Sequence, residues 1–334
     1  MEPPNLRPHP QNVIALISDL DLTLTSEYTQ TPLLKKFGIA PEEFWKYVNS
    51  IYALEKSQRK KELESEENKF PPELRVSADQ HRSDFTQELI YTNVILEYIR
   101  KGIFNGLSRK VFRESGKEIK FFPGVPEFVP HLKNWVLENP RWKKHDIKLE
   151  FYIVSSGIAD MIRGSKIMPF CDGIFATEFG TGKNDRVDGE IDRIDFSVSY
   201  TEKTRFIHMI SKGFDVNVND PVPHNMRRVR GDCMIFMGDG PTDVPSMSTV
   251  NSFGGKSIAV YGKIGDEEKD KKAFENAMKL RQQHRVLSFS QADFTPESQT
   301  ISTLKYIISE AAEKIVKDRE AAIEAFAGKS PKIH

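Results

Sequence analysis

Two aspartates, Asp19 and Asp21, follow an apolar run at residues 13–17 and precede Thr23. The run is rich in β-branched residues, which predicts a strand that is buried on both faces. In open α/β sheets the reactive crevice lies beyond the carboxyl ends of the central strands, so these carboxylates are placed for chemistry. A helix cap would account for one of the two carboxylates but not for both followed by a threonine. We therefore interpret this stretch as functional.

A second apolar run, at residues 149–154, ends in Ser155, Ser156 and Gly157. Hydroxyls and backbone N–H groups that follow a strand and precede a helix can hold a phosphate. The helix is predicted to start near residue 159. An ordinary Ser-Gly turn is the alternative interpretation of these three residues.

A third apolar run, at residues 233–237, ends in a glycine-containing turn that carries Asp239 and Asp243. Small residues let the backbone turn tightly there, and two acids again face the crevice. Lys203 lies in the first turn of a helix predicted to begin at residue 201, where a lysine opposes the helix dipole. This position is as compatible with a functional lysine as with a solvent-exposed one.

The strand ends therefore deliver several carboxylates to one edge of a sheet. Without a cation they would repel one another and raise one another's pKa values. Mg²⁺ accepts carboxylate, carbonyl and water oxygens and also binds phosphate. Because oxygen ligands favour a hard ion and no His or Cys cluster has zinc spacing, we expect Mg²⁺ at this edge.

The composition is that of a globular chain, with 38% hydrophobic residues among 334. Lys plus Arg equals Asp plus Glu at 48 each, so no overall field draws the chain to nucleic acid or anionic lipid. The two cysteines, Cys171 and Cys233, argue against a disulfide framework. The N-terminus lacks the apolar core of a signal peptide, and no run is long enough to span a bilayer. We expect a cytoplasmic protein with neither nucleic acid nor membrane as partner.

The pattern changes to helix between the first two apolar runs. Residues 26–120 are predicted to form an inserted helical domain, with one helix from Pro41 through Ile51 and an apolar stripe at Phe85, Leu89, Thr92, Leu96 and Ile99 on a second. The mixed charges at residues 56–69 indicate a solvated face. Further elements are predicted in the remaining α/β part: a helix through about residue 138, strands at 173–178 and 257–261, a hairpin turn at 187–191, and a terminal helix at 296–327. We expect this terminal helix to pack back on its own core, with an intermolecular contact as the alternative, and the sequence does not give the oligomeric state. The loop at residues 215–231 has no assigned purpose.

The four motifs, in this order, resemble those of the haloacid dehalogenase superfamily of phosphotransferases: Asp19-Leu20-Asp21-Leu22-Thr23, Ser155, Lys203, and Gly238-Asp239-Gly240-Pro241-Thr242-Asp243. The resemblance covers residues 12–25 and 121–262. The large insert after the first motif resembles the C1-capped branch that contains phosphoserine phosphatase. The family resemblance implies an α/β fold, with a Rossmann-like parallel sheet core at residues 12–25 and 121–334 and a helical C1-type cap at residues 26–120.

The resemblance also implies roles for individual residues. Asp19 would be the nucleophile that becomes an aspartyl phosphate, and Asp21 would be the general acid and base. Mg²⁺ would be bound by Asp19, the backbone carbonyl of Asp21 and Asp239, with Asp243 supporting the site. The phosphoryl group would be held by the remaining motif residues: Ser155, Ser156, Gly157 and Lys203.

Three positions depart from the family pattern. Thr242 stands where many relatives have Asn, Ser156 stands where phosphoserine phosphatases usually have Gly, and Glu27 lies one position from the acid those enzymes use on their substrate's amine. These departures argue against phosphoserine as the substrate. The carboxylate of Asp21 argues against the dehalogenase branch.

We therefore predict a Mg²⁺-dependent phosphomonoester hydrolase that acts on a small phosphorylated metabolite. A phosphotransferase or phosphomutase would use the same residues with a second substrate in place of water. A non-catalytic phosphate-binding protein on this fold is the alternative from a different class, since fold does not dictate function.

Overall fold

A computed structural model describes residues 9–53, 87–182 and 189–327. Within these ranges the strands form one seven-stranded sheet with the order β4-β3-β2-β1-β5-β6-β7. In chain order they are β1 (Val13–Ser18), β2 (Lys148–Ile158), β3 (Gly173–Thr181), β4 (Ile191–Phe196), β5 (Met234–Gly238), β6 (Lys256–Tyr261) and β7 (Ser288–Gln291). All neighbouring pairs are parallel except β3 and β4, which are antiparallel.

The strand β1 is the fourth of the seven strands of the sheet, and every one of its six residues is buried. It pairs with β2 on one side and β5 on the other, so the carboxyl ends of these three strands meet at one edge. This arrangement confirms the predicted α/β class with a parallel sheet core. The helices are α1 (Thr31–Lys36), α2 (residues 41–53), α3 (Gln87–Arg100), α4 (Arg109–Gly116), α5 (Phe128–Glu138), α6 (Pro140–Lys143), α7 (Ala159–Gly164), α8 (Glu202–Lys212), α9 (Val244–Ser252), α10 (Glu267–Gln282) and α11 (Gln299–Ala327).

None of the helices in the described ranges is both long and apolar enough to cross a bilayer. The terminal helix α11 packs back on the core, as predicted, because Ile301, Leu304, Ile308 and Ile315 on one face are buried in the main hydrophobic cluster. That cluster also contains the central strands. Helix packing of this kind fixes the sheet and with it the strand ends.

The helical insert leaves and rejoins the core at adjacent positions. Thr25 forms an antiparallel bridge with Phe121, and the backbone N of Ser26 donates to the carbonyl of Lys120 at 3.0 Å. Phe44, Val48 and Phe112 belong to a second hydrophobic cluster, separate from the main one. The division into a cap at residues 26–120 and a core stays our proposal, and these contacts support it.

Several expectations need correction. Strand β2 continues through Ile158, beyond the predicted end at residue 154, with a register shift against β3 after Val154. The strand β7 was not predicted. On α3 the buried side chains include Tyr91 and Ile95, whereas Leu89 of the predicted stripe is 39% exposed. Thr92 and Leu96 of the predicted stripe are buried, and Phe85 lies outside the described residues. The buried face is thus wider than the predicted stripe, because this helix carries large apolar residues on more than one face.

Two further predictions concern residues outside the described ranges. The charged segment at residues 56–69 lies there, as do Val187 and Asp188 of the predicted hairpin turn. The strands on either side of that turn, β3 and β4, do pair antiparallel. Phe179 of β3 and Ile191 of β4 are buried in the second cluster, so the hairpin packs with the insert.

The insert meets the core where α4 packs on α7. A Cβ atom at Gly164 would lie 1.9 Å from the carbonyl oxygen of Arg113, and one at Gly116 would lie 2.0 Å from that of Met161. Asp160, which is 2% exposed, accepts hydrogen bonds from the Nε atoms of Arg109 and Arg113, each at 2.7 Å. Close backbone approach and a buried charge cluster therefore hold the insert against the sheet.

Replacing Gly164 by Ala should destabilise the fold by ~1–3 kcal/mol, because the methyl group overlaps backbone atoms that cannot rotate away. Gly182→Ala is the control, since a Cβ atom there meets nothing within 4 Å. Urea unfolding of both variants measures the difference. Equal midpoints for Gly164→Ala, Gly182→Ala and the wild type would show that α4 and α7 are not closely packed.

Candidate active site

Asp19 is held at the carboxyl edge of the sheet by the neighbouring strand. It follows β1 directly, and its backbone N donates to the carbonyl of Met237 in β5 at 2.9 Å. Its side chain is almost fully buried, and Oδ1 lies 2.8 Å from Nζ of Lys203. The same Nζ lies 2.8 Å from Oδ1 of Asp243. One ammonium group therefore joins carboxylates from two strand ends.

The turn after β5 places Asp239 and Asp243 beside Asp19. Gly238 permits this approach, because a Cβ atom at that position would lie 2.2 Å from Oδ2 of Asp243. The same Oδ2 accepts a hydrogen bond from the backbone N of Asp239 at 3.1 Å. Oγ1 of Thr23 donates to Oδ1 of Asp239 at 3.2 Å. The threonine of the first motif thus ties the two acidic turns together.

Carboxylate oxygens of Asp19, Asp239 and Asp243 lie within 4.8 Å of one another. Burial raises the pKa of Asp19 to about 7. The charges of Asp243 and Asp21 act in the same direction, and the ammonium of Lys203 opposes the shift. Burial and the charges of Asp243 and Asp19 raise the pKa of Asp239 well above its usual range. A divalent cation would remove this repulsion, and hard oxygen donors are the ligands such an ion prefers. The donor set therefore fits Mg²⁺.

Lys203 is buried, with 2% of its surface exposed, so the solvent-exposed interpretation is wrong. Burial alone would lower its pKa, but the carboxylates of Asp19 and Asp243 outweigh burial and raise it. The lysine is consequently charged. Its unfavourable position in the first turn of α8 is compensated by two ion pairs.

The carboxylate of Asp21 lies apart from the three-carboxylate cluster. Its Oδ1 accepts a hydrogen bond from the backbone N of Thr29 at 2.6 Å. Burial raises the pKa of Asp21, although the hydrogen bond from the backbone N of Thr29 opposes the shift. A buried carboxyl group with a raised pKa beside the three-carboxylate cluster is a candidate for proton transfer. Thr29 belongs to the insert, so the insert orients this group.

The residues after the second apolar run lie close to Asp21. Ser155 is fully buried, and its Oγ accepts a hydrogen bond from the backbone N of Gly157 at 3.0 Å. A Cβ atom at Gly157 would lie 3.2 Å from that Oγ and 3.3 Å from Oδ2 of Asp21. The carbonyl of Ser156 accepts a hydrogen bond from the hydroxyl of Tyr91 at 2.5 Å. Phosphate binding by these three residues stays a prediction.

A cavity of about 150 Å³ opens between the strand ends and the insert. Its core side carries Asp19, Asp21, Lys203, Asp239 and Thr242, and Ser156 lines it where Ser155 does not. Its insert side carries residues that sequence reasoning missed: Tyr28, Gln30, Trp45, Gln87, Glu88 and Tyr91. In the sequence, the aromatic residues among them could not be distinguished from core residues. Tyr91 was also missed because it lies outside the apolar stripe predicted on α3.

Glu27, which the sequence comparison singled out, does not line this cavity. Its Oε2 lies 3.6 Å from Nζ of Lys35 and 3.8 Å from Nζ of Lys120. Both contacts are with partly exposed lysines on the surface of the protein. Glu88, on α3, is instead the acid of the insert that lines the cavity.

No family model matches the chain. An uncharacterized protein of Borreliella burgdorferi is 29% identical over 300 residues, which span 85% of this chain and 93% of the relative. Similar solved structures include phosphoserine phosphatase in its apo form, with 15% identity, a TM-score of 0.44 and coverage of 87% of this chain and 98% of that one. They also include a HAD family hydrolase of Salmonella enterica serovar Typhi, with 14% identity, a TM-score of 0.42 and coverage of 80% and 67%.

Addition of MgCl₂ should raise the midpoint of thermal unfolding, because an ion that binds only the folded chain stabilises it by mass action. At a hundredfold excess over Kd this stabilisation is ~2.7 kcal/mol. Asp239→Asn should lose most of this shift, since it removes one charged ligand. Asp192→Asn is the matched control, because this aspartate is 53% exposed and pairs with Arg193. Differential scanning calorimetry gives the midpoints. The same shift in all three proteins, or none in the wild type, would contradict a cation site at the strand ends.

Proposed function

We propose that the protein is a Mg²⁺-dependent phosphomonoester hydrolase of the haloacid dehalogenase superfamily, in its C1-capped branch, acting on a small phosphorylated metabolite. The observation that carries this proposal is the contact of Asp19 with Lys203 at 2.8 Å beside the three-carboxylate cluster. A buried carboxylate that lines a cavity and lies next to a fixed cation is suited to attack an electron-poor phosphorus atom. The four motifs in order add to this geometry.

Mg²⁺ would be held by Asp19, Asp239 and the backbone carbonyl of Asp21, with Asp243 supporting the site through Lys203. When bound, the ion supplies positive charge that offsets the negative charge of the phosphoryl oxygens. Lys203 supplies a second positive charge, 2.8 Å from Asp19. Ser155 and the backbone near Gly157 would complete the phosphate-binding groups.

The reaction proceeds in two displacements at phosphorus. In the first, an oxygen of Asp19 forms a bond to phosphorus while the bond to the ester oxygen breaks, and protonated Asp21 gives its proton to the leaving oxygen. In the second, Asp21 takes a proton from water, the water oxygen bonds to phosphorus, and the bond to Asp19 breaks. The same carboxyl group serves as acid in the first displacement and as base in the second.

The insert at residues 26–120 would act as a cap that limits access to the site. The cavity of about 150 Å³ beneath it is smaller than pockets for drug-sized ligands, which measure roughly 300–1,000 Å³. A small phosphate ester matches this volume. Cytoplasmic location stays a prediction from composition.

Replacing Asp21 by Asn should slow hydrolysis of alkyl phosphates by ~10²- to 10⁴-fold, because the leaving alkoxide then lacks a proton donor. Formation of the phosphoenzyme from p-nitrophenyl phosphate should persist, since nitrophenolate leaves without a proton, while hydrolysis of the phosphoenzyme stalls. Burst and steady-state kinetics with the two ester types measure these effects. Inorganic phosphate is quantified beside any ester formed with an added alcohol, which separates a hydrolase from a transferase.

Asp293→Asn is the matched control for this experiment. Its carboxylate also accepts a backbone hydrogen bond, from Thr295 N at 2.9 Å, but it lies outside the cavity. Its activity should equal that of the wild type. Equal losses for alkyl and nitrophenyl esters, without a burst, would refute the proton-transfer role of Asp21. A new alcohol ester as the main product would show that the enzyme is a transferase.

A further inference from the structure

Three aromatic rings form the insert side of the cavity. The ring centroids of Tyr28 and Trp45 lie 4.8 Å apart at an interplanar angle of 43°. Those of Trp45 and Tyr91 lie 5.7 Å apart at 59°. Both pairs are tilted rather than stacked, and all three residues line the cavity. Aromatic rings attract cations through the ring quadrupole.

Two acceptors beside these rings lack a hydrogen-bond partner within the described part of the chain. They are Oε2 of Glu88 and Oε1 of Gln30, and both atoms are buried. Both residues line the cavity. Leaving a buried acceptor unpaired costs free energy, and the cost is greater for a charged carboxylate. A ligand that brings positive charge or N–H donors would remove this cost.

The aromatic rings lie next to the reacting carboxylates. Burial, and after it the charges of Asp21, Asp239 and Asp19, raises the pKa of Tyr28 to about 12. Burial and the charges of Asp21 and Glu88 likewise raise the pKa of Tyr91. Tyr91 is also fixed to the core through the carbonyl of Ser156. A substrate with its phosphate at Asp19 would therefore place a short alcohol portion against the rings.

The charge of the cavity lining selects against an anionic alcohol portion. Four carboxylates line it, those of Asp19, Asp21, Asp239 and Glu88, against the single ammonium of Lys203. That ammonium already contacts two carboxylates at 2.8 Å. Among the residues that the structure describes, no arginine lines the cavity. Within this lining a substrate carboxylate would find no cation other than Lys203, whereas a substrate cation would find Glu88 and three rings.

We propose that the alcohol portion of the substrate carries an alkylammonium group, which binds against the cavity-lining rings of Tyr28, Trp45 and Tyr91 with Glu88 as its counter-ion. This inference rests on the proposed phosphatase function and names the substrate class: phosphate monoesters of short amino alcohols, with or without N-methyl groups. Gln30 is the acceptor for an N–H group where the nitrogen carries one. Glu88 and Trp45 are specificity-determining residues and take no part in the displacement at phosphorus.

The test compares phosphate esters whose alcohol portions differ in charge, and phosphocholine and neohexyl phosphate have the same shape. We measure kcat/KM for phosphocholine, phosphoethanolamine and neohexyl phosphate, in which a neutral tert-butyl group replaces trimethylammonium. The wild type should prefer the better of the two cationic esters over neohexyl phosphate by ~10-fold or more, as expected for a desolvated cation in an aromatic site. Phosphoserine should be hydrolysed more slowly than phosphoethanolamine, because its carboxylate faces Glu88.

Glu88→Gln and Trp45→Leu should each reduce the preference for the cationic ester over neohexyl phosphate. Glu97→Gln is the matched control on the same helix, because Glu97 pairs with Lys101 at the surface and does not line the cavity. Its preference should equal that of the wild type. The wild-type comparison needs no variant, so it decides the question even if a cavity variant fails to fold.

A wild-type preference near one, with measurable turnover of all esters, would overturn the alkylammonium assignment and leave the phosphatase function intact. Preferences that do not fall in Glu88→Gln and Trp45→Leu would overturn the assignment of those residues. Calorimetric titration with choline and with neohexyl alcohol distinguishes a failure of the alkylammonium site from a failure of the phosphatase function. Choline binding without hydrolysis of any ester would support the cation site and refute the phosphatase.

Discussion

The site depends on one buried ammonium group, that of Lys203, placed 2.8 Å from both Asp19 and Asp243. These two ion pairs join the end of β1, the turn after β5 and the start of α8. Removing one member of a buried ion pair leaves an uncompensated charge and typically costs ~3–5 kcal/mol. The same contacts leave Asp239 without a cationic partner among the described residues, which is why the cluster calls for a metal ion. Stability and chemistry therefore depend on the same charges.

The insert contributes to the site as much as the sheet does. The backbone N of Thr29 orients Asp21, and the hydroxyl of Tyr91 bonds to the carbonyl of Ser156. Both contacts connect the insert to strand ends of the core. The close approach of α4 to α7 at Gly164 maintains this position. In the proposed mechanism the sheet would supply the groups that act on phosphorus, and the insert would supply the groups that select the alcohol portion.

Local signals in the sequence predicted the α/β core, because buried strands and the acidic turns after them are encoded within a few residues. The exits of β1 and β5 are the clearest cases. Lys203 could only be a candidate, since the pairing that explains it joins distant segments. Trp45 and Glu88 could not be found, because each lies on a helix where aromatic and acidic residues are ordinary and only tertiary packing brings them together. Glu27, noted in the sequence as a departure from the family pattern, does not line the cavity.

The central claim is that Asp19 carries the phosphoryl group during turnover. Rapid acid quench of the wild type during hydrolysis of p-nitrophenyl phosphate, followed by peptide mass spectrometry, locates that group directly. We expect one phosphoryl group on Asp19 and none in the Asp19→Asn variant, which should be folded and inactive. A phosphoryl group on another residue, or near wild-type hydrolysis by Asp19→Asn, would contradict the account.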